Sequence, residues 1–253
     1  MNVTPIKTRA FLPPKDNLWE LIETSIPTLK ENTILAITSK IVSIGEGRCV
    51  PQERVKSKDE LIIAEAEKYL PRELVPEKWV MHTLKNNLFV PTAGIDESNG
   101  AGYYILWPKN PTKSAHKIWK FLRERHKIKN CGVIITDSHS VPLRRGVVGI
   151  SLAHWGFLPL HDYRGKRDIF GKKLVISQTN IPDSLASAAV VAMGEGNEKT
   201  PLALITDIPN IKFVSRAREI KKPHSSFNVP IQEDLYKPFL EAMPWKRGKS
   251  GKS

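Results

Sequence analysis

The 253-residue sequence holds two cysteines, Cys49 and Cys131, too few for a disulfide framework and suited to a reducing compartment. No apolar run approaches the length of a membrane span. No basic-then-apolar leader follows Met1-Asn2-Val3-Thr4-Pro5, so a cytoplasmic protein is expected. Common site signatures are also missing. There is no G-x-x-x-x-G-K-[ST] loop and no G-x-G-x-x-G, so neither the P-loop nor the Rossmann fold is signalled. Without C-x-x-C, H-E-x-x-H or G-x-S-x-G, the zinc, metalloprotease and serine-hydrolase readings lose support. No internal repeat is present, and nothing is of low complexity apart from the C-terminal end.

What is there reads as an ordinary globular protein, 40% hydrophobic and 26% charged. Lysine and arginine number 39 against 26 acids, a formal net charge of +13. Such an excess attracts polyanions, whether nucleic acid, nucleotides, phosphorylated metabolites or acidic lipid, without choosing among them. Part of it lies in Lys246 to Ser253, a Gly/Ser-rich basic stretch that reads as a disordered tail. Residues 1–220 are expected to form the main domain, as one unit or as two subdomains, and 221–245 a C-terminal extension. Lys221 to Ser226 reads as a linker or a loop.

Helical and strand-like segments alternate, which predicts a mixed α/β fold. Helices are expected over Asp16–Ser25 and Ser57–Leu70, from Ser114 as N-cap to about His126, and from Pro182 to Gly194. Strands are expected at Thr33–Thr38, Asn87–Val90, Tyr103–Trp107, Gly132–Thr136, Lys173–Ser177 and Leu202–Thr206.

The chemistry falls to acids in loops. Asp137 is expected at the carboxyl end of a strand with Ser138 behind it, the edge where α/β sheets bind ligands. Asp96 lies in a turn-rich stretch with Asn99, and Glu195 stands between Gly194 and Gly196. Hard cations take oxygen ligands, and Mg²⁺ commonly uses one or two carboxylates with phosphate oxygens. Each acid alone reads more simply as a cap or a turn residue. Arg144 and Arg145 suit phosphate or carboxylate recognition, or form a surface basic pair. Asp168 reads as a turn former. His154 and His161 read as core or loop histidines, and Trp107, Trp119 and Trp155 as core or interface.

Four ordered blocks then resemble the F420-0:gamma-glutamyl ligase family: Ser39–Arg48 (SKIVSIGEGR), Ala93–Asn99 (AGIDESN), Ile135–Gly149 (ITDSHSVPLRRGVVG) and Met193–Gly196 (MGEG). Pro108–Ala115 and Asp162–Leu174 support them, and the match spans roughly four-fifths of the chain. The resemblance implies a mixed α/β (α+β) fold, neither P-loop nor Rossmann, and an intertwined homodimer. It implies a ligase that uses GTP or ATP and two divalent metals, Mg²⁺ or Mn²⁺, to join L-glutamate to a carboxylate of an acidic acceptor, F420-0 or a folate-like molecule. By resemblance Asp96 and Asp137 hold one metal, and Ser138 and Glu195 the other. Ser39, Lys40, Asn99, Met193, Gly194, Gly196 and Asn197 meet the nucleotide, and Asp137, Arg144 and Arg145 serve catalysis. Arg9 to Leu12 fall where the family's nucleotide site begins. The chain departs from the family at Ile44-Gly45, where Lys-Ala is usual, at Ser140-Val141, where Gly-Arg is usual, and at Pro182-Asp183-Ser184. These departures suit a divergent acceptor, or a protein on the same fold that binds nucleotide or RNA without ligating.

Overall fold

The computed structural model describes residues 1–214 and 227–250. The elements run β1 (Asn2–Ile6), α1 (Leu18–Ser25), β2 (Thr33–Thr38), α2 (Ser39–Gly45), β3 (Cys49–Pro51), α3 (Lys58–Glu65), β4 (Lys68–Tyr69), β5 (His82–Lys85), β6 (Leu88–Pro91) and β7 (Tyr103–Ile105). They continue with α4 (Pro111–His126), β8 (Cys131–Ser140), β9 (Val147–Trp155), β10 (Leu160–Asp162), β11 (Gln178–Asn180), α5 (Ile181–Met193), β12 (Leu202–Thr206), α6 (Lys237–Ala242) and β13 (Lys246–Arg247). The fold is mixed α/β, as expected.

A five-stranded sheet, ordered β1-β12-β2-β8-β9, carries the main core. Only β2 and β8 run parallel, with Thr33 opposite Cys131 and Thr38 opposite Thr136. Both strands are buried on two faces where they pair, which explains the apolar runs Ile34–Ile37 and Val133–Ile135. Alternate residues divide between the faces. Leu35, Ile37, Val133 and Ile135 pack with α1, α2 and α4, while Ile34, Ala36 and Ile134 pack under α5. The small residues Ala186 and Ala189 let α5 lie close to the sheet.

A second, four-stranded sheet, β13-β4-β5-β6, has its own smaller core of Ile62, Ala66, Met81, Ala93, Ile95 and Leu106. Here the local expectations fail most. The helix expected over 57–70 stops at Glu65, and Ala66 turns extended so that Lys68–Tyr69 can pair with β5. The stretch read as a tail is also different: Lys246 pairs with Tyr69, and Ser250 Oγ donates to the Glu65 carbonyl at 2.8 Å. Its charges face solvent while its backbone finds partners, which composition does not reveal. The 221–226 segment and residues 251–253 lie outside the described residues.

Three further boundaries move. The α4 helix begins at Pro111, with Asn110 as its cap, so Ser114 sits one turn inside and bonds Glu46 instead. The β8 strand runs on to Ser140, because β9 pairs with it antiparallel past Asp137. Lys173–Ser177 forms no strand; Leu174 folds back onto Gly165 and Lys166, and the pairing begins at Gln178. Asp168 is the expected turn former, its Oδ1 accepting the Phe170 and Lys172 N–H groups at 2.9 and 2.8 Å. His154, Trp107, Trp119 and Trp155 are buried. Both cysteines are free, and among the described residues no helix is long and apolar enough to cross a membrane.

Candidate functional site

A cavity of about 450 Å³ opens where the two sheets meet the loops around residues 8–13 and 193–201. Ser39, Lys40, Asp96, Asn99, Asp137, Ser138, Met193, Gly194, Glu195, Gly196 and Asn197 all line it. Residues 158 positions apart, Ser39 and Asn197, are thus gathered in one place. Four carboxylates face it, those of Asp96, Asp137, Glu195 and Glu198, against three cations, Arg9, Lys40 and Lys199. The cavity of this strongly basic protein is therefore slightly acidic.

One wall is a strand. A register shift in the β8–β9 pairing falls between Ile135 and Thr136, immediately before Asp137 and Ser138, a common place for a bulge to re-aim side chains. The Asp137 Oδ2 accepts the Trp107 indole N–H, and its Oδ1 accepts the Ser138 N–H at 3.0 Å. Desolvation pushes the Asp137 carboxyl up to about 7, and Asp96 adds repulsion. The N–H donors and Lys40 oppose that rise without cancelling it.

The other wall is made of loops. Asp96 follows the 3₁₀ turn at Thr92–Gly94 and bonds Lys40 Nζ at 2.7 Å. Its Oδ1 takes the Ser98 N–H at 2.7 Å, and its Oδ2 the Ser98 hydroxyl at 3.1 Å. Burial acts to raise this carboxyl, but Lys40 and Ser98 outweigh it and hold Asp96 below the usual carboxylate range. Lys40 also donates to the Ser98 carbonyl at 2.7 Å. Across the cavity, Ser138 Oγ donates to Glu195 Oε2 at 3.2 Å. The Gly194–Asn197 loop is held from both sides. Asn99 Nδ2 donates to the Gly196 carbonyl at 3.0 Å, and the Gly196 N–H donates to Glu198 Oε2 at 2.8 Å.

The oxygen-rich donor set suits a hard cation such as Mg²⁺ or Mn²⁺. A carboxyl raised by desolvation and by a second carboxylate is one whose ionised form lacks a cation. Among the described residues no group of three or more His, Cys, Asp or Glu side chains converges as a metal cage. The carboxylates stand instead as Asp96 facing Asp137 and as Glu195 on Ser138, an arrangement that leaves coordination positions for a ligand's own oxygens.

Arg144 and Arg145 are not brought into the cavity. They sit exposed in the turn between Ser140 and Val147, which starts about 10 Å along the strand from Asp137. Ile44 is buried in the main core and also lines the cavity, whereas a Cβ on Gly45 would lie 2.8 Å from Leu18 Cβ, so Gly45 serves the packing of α2 on α1. Asp183 ties α5 to β9 by accepting the Ser151 N–H at 2.8 Å. Glu198 and Trp107 are among the cavity residues that escape the sequence reading. Glu198 gives a weak signal, a second acid behind Glu195-Gly196. Trp107 gives none, since a buried tryptophan reads as core.

Comparison with known proteins agrees with the geometry. The family described as F420-0:Gamma-glutamyl ligase matches residues 6–207, a span that contains the whole cavity lining. The chain is similar to the coenzyme F420:L-glutamate ligase of Methanopyrus kandleri, with 34% identity over 221 residues, covering 81% of this chain and 86% of the relative. It is also similar to the protein of that name from Methanocaldococcus jannaschii, 32% identical over 82% of this chain and 87% of the relative. A third relative of that name, from Archaeoglobus fulgidus, is 30% identical over 81% of this chain and 87% of its own length.

Proposed function

The chain belongs to the F420-0:gamma-glutamyl ligase family, and on that premise we propose that it joins L-glutamate, through its amine, to a carboxylate of an acidic acceptor, F420-0 foremost, with GTP or ATP as the energy source. The observation that carries this reading is the meeting of Asp96, Asp137, Ser138 and Glu195 in one cavity with Lys40 and Asn99. A carboxylate is a poor acyl donor. The acceptor carboxylate therefore attacks the terminal phosphorus of the nucleotide and takes its phosphoryl group, and the nucleoside diphosphate leaves with the electrons of the broken P–O bond. The glutamate amine attacks the resulting acyl phosphate, phosphate leaves with the bonding electrons, and the amine gives up a proton.

Asp96 and Asp137 would hold one divalent cation, and Ser138 with Glu195 a second. Bound there, the two ions supply neutralisation of the phosphate oxygens and an in-line geometry. The protein's own groups bind and orient. Lys40, now paired with Asp96, is placed to exchange that carboxylate for a phosphate oxygen. Asn99 and Glu198 fix the Gly194–Asn197 loop against which the nucleotide is read. Phe11, Trp107 and Met193 help exclude water, which protects an acyl phosphate from hydrolysis.

A homodimer fits the exposed apolar side chains of the turn at Leu143 and the loop at 169–176. Leu143, Ile169, Phe170, Val175 and Ile176 are each at least three-quarters exposed, more than a lone globular unit ordinarily shows in neighbouring loops. A reading as an RNA-binding module draws on the net charge, the basic C-terminal stretch and the departure from the family at Ile44, and four carboxylates in the cavity disfavour a polyanion arriving without cations.

The test is a turnover assay with GTP or ATP, Mg²⁺ or Mn²⁺, L-glutamate, and a panel of acceptors including F420-0 and folates. A product heavier by one glutamyl unit, formed only with nucleotide and metal, is expected. Metal-dependent nucleotide binding with no product from any acceptor would contradict the ligase reading.

A further inference from the structure

Trp107 lies two residues past β7 and is 2% exposed. Its indole N–H donates to Asp137 Oδ2, so a core side chain reaches the cavity from behind. The ring is held from several directions. Lys85 Nζ lies over it, 5.3 Å from the centroid. That lysine is itself buried and donates to Glu65 Oε2 at 2.8 Å and to the Ala93 carbonyl at 3.2 Å. Glu65 accepts both oxygens' worth of bonding from Arg48 Nη2, at 2.9 Å each. Arg48 Nε then donates to the Trp107 carbonyl at 3.1 Å. The path from Trp107 through Arg48, Glu65 and Lys85 returns to the Trp107 ring.

The ring's edge is fixed too. A Cβ on Gly94 would overlap the indole, and Gly94 has φ +69°, so a glycine is required there twice over. Two residues on stands Asp96, whose backbone exchanges hydrogen bonds with Ile105 at 3.0 and 2.7 Å. Trp107 thus touches the strand wall through its N–H and the loop wall through Gly94 and the Ile105 bridge.

An indole N–H is a donor only. It can neither ligate a cation nor accept a proton in the carboxylate's place. With Oδ2 held by Trp107 and Oδ1 by the Ser138 N–H, the plane of the Asp137 carboxylate is set. Its remaining lone pairs are left for a ligand. We propose that Trp107 is a positioning residue that presents the Asp137 carboxylate to the divalent cation. The inference rests on the metal-dependent reading of the cavity. Partners of this kind, bonded to a ligand and not to the metal, change metal affinity by about 10–100-fold when removed.

The test measures Mn²⁺ binding to the full chain by electron paramagnetic resonance, with Mn²⁺ alone as the probe. Trp107→Phe keeps an aromatic ring beneath Lys85 and removes the N–H. Trp119→Phe is the matched control, since its indole is equally buried but donates to the Cys131 carbonyl at 3.0 Å. Trp107→Phe should weaken Mn²⁺ binding about 10-fold or more, and Trp119→Phe should leave it within about twofold, although both lose thermal stability. Equal affinities in the two variants would overturn the proposal while leaving the metal reading intact. No Mn²⁺ binding by the parent protein would remove both. Should Trp107→Phe fail to fold, indole-labelled parent protein decides: among six tryptophan N–H resonances, one should move on Mg²⁺ saturation and stay still in Asp137→Ala. No moving resonance in a protein that binds Mg²⁺ would also overturn it.

Discussion

Asp96 and Asp137 face the same cavity, yet their surroundings push them in opposite directions. Asp96 stands on a loop, half exposed, with a lysine at 2.7 Å that keeps it ionised. Asp137 stands in a strand of the main sheet, deep against Trp107, and is raised to about 7. The loop acid already has a cation, and the strand acid lacks one. The difference teaches how such a cavity can take a divalent ion and a polyphosphate together. On the proposed reading, one carboxylate would stay fixed and undercharged until an ion arrives, and the other would trade its lysine, freeing Lys40 for a phosphate oxygen.

The largest effect should come from breaking the strand side. Asp137→Ala should lower glutamate-dependent phosphate release by about 10³-fold, while metal-free thermal stability holds or rises, because a desolvated acid has been removed. Asp96→Asn should cost less turnover, about 10²-fold, and should lower stability by about 1 kcal/mol or less, since its pair with Lys40 is half exposed. Equal stability losses in the two variants would erase the contrast.

The pH dependence sharpens the same contrast. Below about 7 a cation competes with a proton at Asp137, so Mn²⁺ affinity should fall by up to about tenfold per pH unit from 7 to 5. Asp96, held below the ordinary carboxylate range, contributes nothing in that window. Stability of the metal-free protein runs the other way. From about pH 4 to 7 the native state keeps a proton that the unfolded chain has lost, so this group makes stability fall as pH rises. Calorimetry across that range, with and without Mn²⁺, checks both signs.

The smallest effect is expected at the loop wall's support. Glu198→Gln weakens the charge-assisted bond to the Gly196 N–H, and nucleotide affinity should drop by about three- to tenfold, near 1 kcal/mol. A loss as large as that of Asp96→Asn would make Glu198 a direct ligand of the bound species.

Much of the fold was legible where one strand or helix is decided by its own residues. Thr33–Thr38 and Leu202–Thr206 match their predicted bounds because each is a short apolar run with turn signals around it. The α5 helix, from Ile181 to its Gly194 cap, is legible for the same reason. In the second sheet only β6, expected at Asn87–Val90 and found at Leu88–Pro91, was legible. Strands β4 and β13 have two residues each, and Lys246 finds Tyr69 across 177 positions, a pairing that no local pattern carries. The site divides likewise. Asp96, Asp137, Ser138 and Glu195 sit in recognisable blocks, whereas Trp107 and Glu198 acquire their roles through tertiary contacts alone. Arg144 and Arg145 were read into the site by their closeness in sequence to Asp137, but the strand carries them out along the sheet.

The most direct test follows oxygen. The acceptor carboxylate is labelled with ¹⁸O and incubated with the protein, GTP or ATP, Mg²⁺ and L-glutamate, and the released phosphate is weighed by mass spectrometry. Activation by phosphoryl transfer predicts one labelled oxygen in the phosphate for each glutamyl bond formed, with the signal lost in Asp137→Ala. Unlabelled phosphate alongside a glutamylated product would contradict it.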